Sequence, residues 1–389
     1  MKLGDLVDLV IGNTYKSKLL SETDGPVLLG LGSIARNGGF KYGAWKHYPG
    51  ESDPRILLHP GDLYASLKDL TQACDLLGAV SRVPADLPEG RLTQDTVKLV
   101  FDDEATELDK QYVYWSLRTP QYRAYCKGRG TGTTNMSLSR ADFLAWGLPA
   151  RSVANDNLIA AFENIEQLIR SNQQLNDYLA AMCEAIAAAV ESDGESELAD
   201  IAVQITEKAG CSESSLDSYV STESLLPDKG GRQQASSLPT TGKVTVYQAG
   251  DTLVSNIRPY FKKIWLADRG GTCSGDVIVF RAKDPRYAAF LYSILRSDSF
   301  FEHVMAGVKG TKMPRGDKKQ MMQYLAASKC DQGTLDVLTA MVGQIGANNR
   351  ENETLSSLRD ALLPKLMSGE IDVSQVELPT QPNNHLCGC

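Results

Sequence analysis

The 389-residue chain has only four histidines, His47, His59, His303 and His385, which leaves general acid–base chemistry few candidates. Phosphate-loop chemistry is excluded too, because "PTTGKV" lacks the first glycine of that motif and a hydroxyl residue after Lys243. There is no Asp/Asn-Pro-Pro-Tyr/Phe sequence to hold a target base for methylation, and no glycine-rich methyl-donor fingerprint. The stretch Asp62 to Lys68 places Ser66 where a nuclease of the PD-(D/E)xK kind needs an acid. Metal-ligand spacing, His–Cys pairing and a nucleophile elbow are also missing. These absences predict a chain that is not an enzyme. No apolar run approaches the roughly 20 residues of a membrane span, and "MKLGDLVDLVIG" lacks the basic start and apolar length of a signal peptide. A soluble, cytoplasmic protein with no membrane partner is expected. Cys74, Cys126, Cys183, Cys211, Cys273 and Cys330 are scattered singly, the pattern of reduced thiols. His385, Cys387 and Cys389 crowd the last five residues, but three ligands on a chain end close no tetrahedral site, so a frayed tail is expected and no metal.

What the chain does have is repetition. "KGRGTGTTNMSLSRADFLAWGLPA" is echoed 177 positions later by "VMAGVKGTKMPRGDKKQMMQYLAA", with Thr134 on Thr311 and Met136 on Met313. Other echoes follow in the same order: "KLGDLVDLV" with "ELADIAVQI", "ILLHPGDLYASL" with "TVYQAGDTLVSN", and "YVYWSLRTPQY" with "YAAFLYSILRSDSFF". The offset shrinks from 195 through 189 to about 177, as shortened loops in a second copy of one domain would make it. Each copy begins with short apolar runs bounded by Gly, Pro and Asp, which read as strands. Aromatic-rich segments, Lys110 to Tyr125 and Arg286 to Val304, then read as helices. The PGD and AGD triplets read as tight turns capped by Asp62 and Asp251.

A long helical segment follows each copy. In the first, Ala161, Ile165, Leu168, Asn172, Leu175, Leu179, Met182 and Ile186 alternate steps of four and three over about 50 Å of helix. The second runs through Leu338, Val342, Ile345 and Asn349, then Asn352, Leu355, Leu358 and Leu362, with a three-residue stammer between. These seams predict an antiparallel coiled coil. The expected organisation is α+β, with two repeated α/β domains separated by two long helices that pair about a pseudo-two-fold. The domains span 1–150 and 195–330, the helices 151–194 and 331–370, and the tail 371–389.

Charge is segregated along the chain although it sums to −8. From Asp251 to Lys329, fourteen Lys or Arg face seven Asp or Glu, whereas Ser152 to Glu223 carries fourteen acids against two bases. Lys110 to Arg140 holds six bases and no acid, interleaved with Tyr112, Tyr114, Trp115, Tyr122 and Tyr125. Basic domains on an acidic spine suit a polyanionic partner.

The order of parts, and above all the closing "LSSLRDALLPKLMSGEIDV" with Leu358, Arg359, Leu362, Pro364, Lys365, Gly369 and Asp372, resembles the specificity (S) subunits of type I restriction-modification systems. "KLGDLVDLVIG", "PGDLYASL" and "FLAWGLPA" agree with their target-recognition domains. The resemblance implies a non-catalytic subunit that reads double-stranded DNA in two half-sites and directs adenine methylation or cleavage. It implies two methyltransferase (M) subunits docked on the helices, with restriction (R) subunits joining. No cofactor is expected on this chain, since methyl donor and ATP belong to the partner subunits. The expected DNA contacts are Lys127, Arg129, Thr131, Thr133, Thr134 and Asn135 in the first copy. In the second they are Arg258, Tyr260, Lys262, Lys263, Lys309, Thr311, Lys312 and Arg315. Asn135 and Arg315 are assigned to bases, Lys309 and Lys312 to phosphates. The expected partner-binding and coiled-coil residues are Ile165, Leu168, Asn172, Leu175, Leu179 and Met182, with Leu338, Val342, Ile345, Leu355, Leu358 and Leu362. Two rival readings are a protein-binding coiled-coil scaffold and a fragment of an enzyme with recognition fused to methylation.

Overall fold

The computed structural model describes residues 1–43, 45–308, 310 and 313–368. Lys309, Thr311, Lys312, Gly369, Asp372 and the cysteine-bearing tail therefore lie outside the described residues. The described residues form two compact units, 1–168 with 354–368, and 169–353.

The first unit is built on an antiparallel four-stranded sheet in the order Val7–Ile11, Thr96–Phe101, Leu63–Ser66, Val80–Arg82. The second unit repeats that order with Ala202–Ile205, Val277–Ala282, Thr252–Ser255, Ile264–Leu266. Register is repeated as well. Val7 faces Phe101 as Ala202 faces Ala282, and Ser66 faces Thr96 as Ser255 faces Val277. Since a one-residue slip would turn each strand's buried face outward, equal register in both sheets is strong evidence for one duplicated domain. The two triplet turns match: Gly61 and Gly250 take φ of 89° and 87°, while Asp62 and Asp251 accept from the backbone N–H of His59 and Gln248, each at 2.8 Å. Asp62 also binds Lys98 and Asp251 binds Arg281 across the sheet, so both carboxylates are structural.

Two helices cover each sheet, Glu107–Ser116 and Pro120–Arg129 in the first unit, Ala288–Arg296 and Asp298–Ala306 in the second. The repeated Leu-Arg-Thr/Ser between them has a local cause. Leu117 and Leu295 are fully buried, while Thr119 and Ser297 cap the second helix by accepting from Tyr122 and Phe300 N–H. The arginine between turns back toward a tyrosine four residues earlier, Arg118 to Tyr114 at 2.9 Å and Arg296 to Tyr292 at 3.3 Å.

The long helices are Val153–Ala189 and Gln332–Ser368, and within each unit their segments run antiparallel. In the first unit Asn155 Nδ2 donates to the Leu366 carbonyl at 2.7 Å, and Leu158, Ile159 and Phe162 share a core with Leu362, Leu363 and Leu366. In the second, Asn172 meets Asn352 at 3.0 Å, Asn176 meets Asn348 at 2.7 Å, and Cys183 lies against Met341. Leu338 and Val342 are buried there as expected.

On the first helix the expected seam holds at Ile165, which is buried, and at Asn172, which reaches Asn352, and departs from the packed line at Leu175 and Met182. The buried line passes through Ala180, Cys183 and Ala187, with Asn172 and Asn176 joined across the pair; Leu175 and Met182 stand outside at 43% and 50% exposure. Leu358 on the second helix is likewise outside, at 49% exposure. Two stripes run side by side beyond Asn172, and the larger apolar residues, Leu175 and Met182, lie on the outer one. Small and amide side chains occupy the inner stripe instead, where helices approach and every polar atom can find a partner.

All six described cysteines are free. None of the described helices is long and apolar enough to cross a membrane, and no cluster of three or more metal-ligating side chains occurs among the described residues.

Candidate nucleic-acid interface

In each unit a loop leaving the third-listed sheet strand is laced to the loop that follows the second covering helix. The lacing begins at the same serine. Ser66 Oγ donates to the Lys68 carbonyl as Ser255 Oγ donates to the Ile257 carbonyl, turning the chain out of the sheet. Lys68 then pairs with Ser137 and Ile257 with Arg315. These pairings make Ser137 the counterpart of Arg315, one residue from the Leu138 that the ungapped sequence match set opposite it.

In the first unit the tip is polar. Thr131 and Ser137 exchange backbone hydrogen bonds at 2.9 and 2.8 Å, and Gly132 at φ 127° passes so close to the Asn135 carbonyl that a Cβ would stand 2.1 Å from it. Thr133, Thr134 and Asn135 are thereby held together on an exposed hairpin. Lys127, on the last turn of its helix, is exposed beside it; Arg129 stacks on Tyr125 at 4.1 Å and pairs with Asp142 at 3.4 Å. Sequence reasoning missed the other half of this interface. Buried Asp69 accepts from Thr71 N–H, Thr71 Oγ1 and Leu76 N–H at 2.7 to 2.9 Å, folding 69–76 into an exposed loop, and Gln72 Nε2 donates to the Thr133 carbonyl at 2.7 Å. Burial alone would raise the Asp69 carboxyl, but these donors hold it below the ordinary range. Thr71 and Gln72 are exposed there. The available signal was the repeat, because Arg258 to Lys263 were singled out in the second copy and 69–74 are their counterparts.

In the second unit the tip is cationic and aromatic. Arg258 and Lys262 bracket Pro259, Tyr260 and Phe261, and both take the left-handed conformation, at φ 49° and 48°. Asp228 and Lys229 do the same at 53° and 61°. That conformation costs a non-glycine residue about 1–2 kcal/mol each, so other contacts must hold it. Asp228 N–H donates to the Phe261 carbonyl at 2.8 Å, Lys229 N–H to the Lys262 carbonyl at 3.0 Å, and Arg258 N–H to the Pro314 carbonyl at 2.8 Å. Side chains complete the clasp: Asp298 binds the ammonium groups of Lys229 and Lys262, each at 2.9 Å, and Lys229 also binds Glu184 on the long helix at 2.9 Å. Those two hydrogen-bonded lysines pull the Asp298 carboxyl down to about 2.

The expected DNA contacts divide accordingly. Thr131, Thr133, Thr134 and Asn135 come together with Lys127 nearby, and Arg258, Tyr260 and Arg315 come together in the other unit. Lys262 is tied to Asp298, and Lys263 donates one hydrogen bond to the Thr222 carbonyl at 2.6 Å. Arg315 rests on Asp276 at 3.1 and 3.3 Å.

No family model and no curated protein matches the chain. Among solved structures it is similar to the S subunit of a type I restriction-modification system from M. genitalium, with TM-score 0.48 and 15% identity over 94% of this chain and 95% of that one. It is also similar to the HsdS subunit from Thermoanaerobacter tengcongensis, with TM-score 0.34 and 12% identity over 95% and 96%. A third, from work on complex assembly and conformational transition of the type I R-M system, gives TM-score 0.37 and 14% identity over 95% and 97%.

Proposed function

We infer that the chain is the DNA-recognition subunit of a type I restriction-modification complex, each unit reading one half of a split target. The observation that carries this is the composite loop built twice, at equal sheet register, with unlike side chains at its tip: Thr, Asn and Gln in one unit, Arg, Tyr and Phe in the other. Equal scaffolds with unlike tips are what two different half-sites require. Amide and hydroxyl groups suit base edges in the major groove, and the surrounding Lys and Arg suit phosphates. The closing motif adds support, through its resemblance to specificity subunits. Adenine methylation and cleavage, with the methyl donor and ATP, then belong to the two M subunits and the R subunits. Binding of target duplex by the assembled complex should fall steeply with salt. Salt-independent binding, or none, would return the scaffold reading.

The chain passes from one unit to the other only at 168–169 and 353–354, both inside the long helices. Four residues inserted into each helix at those points add roughly 6 Å of helix, between one and two base-pair steps of about 3.4 Å. Methylation mapping should show unchanged half-site bases and a wider gap. Altered bases at an unchanged gap would refute the helices as the ruler.

A further inference from the structure

Tyr260 and Phe261 raise a question that the recognition role alone leaves open. They are 47% and 38% exposed, their ring centroids lie 4.6 Å apart, and they project from a strained, multiply clasped turn. Aromatic residues that merely fill a core would be buried, and a merely solvated loop would have no cause to hold four non-glycine residues left-handed. The counterpart loop in the first unit presents Leu70, Thr71 and Gln72 and has no aromatic residue. Arg258 is exposed beside the pair, and the Lys262 ammonium lies one residue on.

We propose that Tyr260 and Phe261 form a wedge that enters a base step of the half-site read by the second unit and unstacks it. This rests on the reading of the chain as a DNA-recognition subunit. An apolar ring inserted between bases keeps more of its stacking energy when it does not have to be ordered on arrival, and the clasp supplies that order in advance. Glu184, Lys229 and Asp298 are positioning residues in this scheme, since they tie the wedge turn to the long helix through ion pairs of 2.9 Å. Sequence would then be selected in this half-site partly by how readily its steps unstack, a preference the first unit does not share.

The test uses the assembled complex with its M subunits and a duplex carrying the target and the position of its modified adenines, both found by methylation mapping. 2-Aminopurine is placed in turn at each position of the two half-sites, and fluorescence is read as the complex binds. A rise is expected at a step of one half-site away from the modified adenine. Tyr260→Ala with Phe261→Ala should abolish that rise, keep any rise at the adenine itself, and weaken binding roughly tenfold or more. Tyr260→Leu with Phe261→Leu retains an apolar wedge and should retain the rise. The proposal is overturned if only the adenine position responds in the unsubstituted complex, or if the second rise survives the alanine pair. Complete absence of salt-sensitive duplex binding by the unsubstituted complex would instead overturn the recognition reading beneath it.

Discussion

Leu175→Asp combined with Met182→Asp is expected to leave this chain folded and to abolish its co-purification with methyltransferase subunits. Leu175, Tyr178 and Met182 follow one another at helical spacing on the outer side of the first long helix, at 43%, 73% and 50% exposure. Two carboxylates there stay in water while the chain is alone, so its melting temperature should hardly move. Burial of the same stripe under a partner helix would desolvate both charges, at a cost of several kcal/mol and hence a loss of assembly. Thermal melting and co-purification together decide the matter. A large fall in melting temperature would return these residues to the seam between the helices. Undiminished assembly would move the docking surface elsewhere.

Arg118→Ala should cost about 3–5 kcal/mol in denaturant unfolding of the first unit. The Arg118 guanidinium is nearly buried, binds Glu166 on the long helix, and lies over the rings of Tyr114 and Trp115 at 5.0 and 4.5 Å. Arg82 reaches Glu163 at 2.9 Å and Glu166 at 3.2 Å, so two arginines hold the domain to two helix carboxylates. Burial alone would raise the Glu166 carboxyl, but Arg118 and Arg82 outweigh it and hold it below its ordinary value. A depressed carboxyl of this kind contributes stability that is present above the ordinary carboxylate range and lost as pH falls through the folded value. Acid should therefore weaken the unsubstituted unit, and Arg118→Ala should remove part of that pH dependence. Arg296→Ala, at the equivalent place where it binds Glu184 at 2.9 Å, should cost less, because removing Arg118 also takes away the cation that lies over two aromatic rings. Equal losses for the two arginines would contradict that account.

Much of the architecture was legible because duplication leaves a one-dimensional trace. Ser66 and Ser255, Asp62 and Asp251, and Leu117-Arg118-Thr119 and Leu295-Arg296-Ser297 occupy equivalent places in the structure, as the echoes predicted. Helix phase was harder to read. Leu175 beside Asn176 and Met182 beside Cys183 offer two stripes of similar period, and only packing decides that the smaller or more polar one turns inward. The loops were harder still. Thr71 and Gln72 join the interface because buried Asp69 folds their loop onto the 131–137 hairpin, a long-range contact with no periodicity to announce it. The ion pair of Lys262 with Asp298 and the hydrogen bond of Lys263 to the Thr222 carbonyl were equally invisible, since composition counts a lysine as available whatever it touches. Lys309, Thr311 and Lys312 are outside the described residues, and their assignment to DNA remains a proposal.

Sequencing of modified adenines in the host genome, with and without the gene for this chain, tests the central claim most directly. The account predicts one split motif with unlike halves and a constant gap, present with the gene and lost without it. A contiguous motif, or a split motif that persists after deletion, would contradict the assignment of one half-site to each unit.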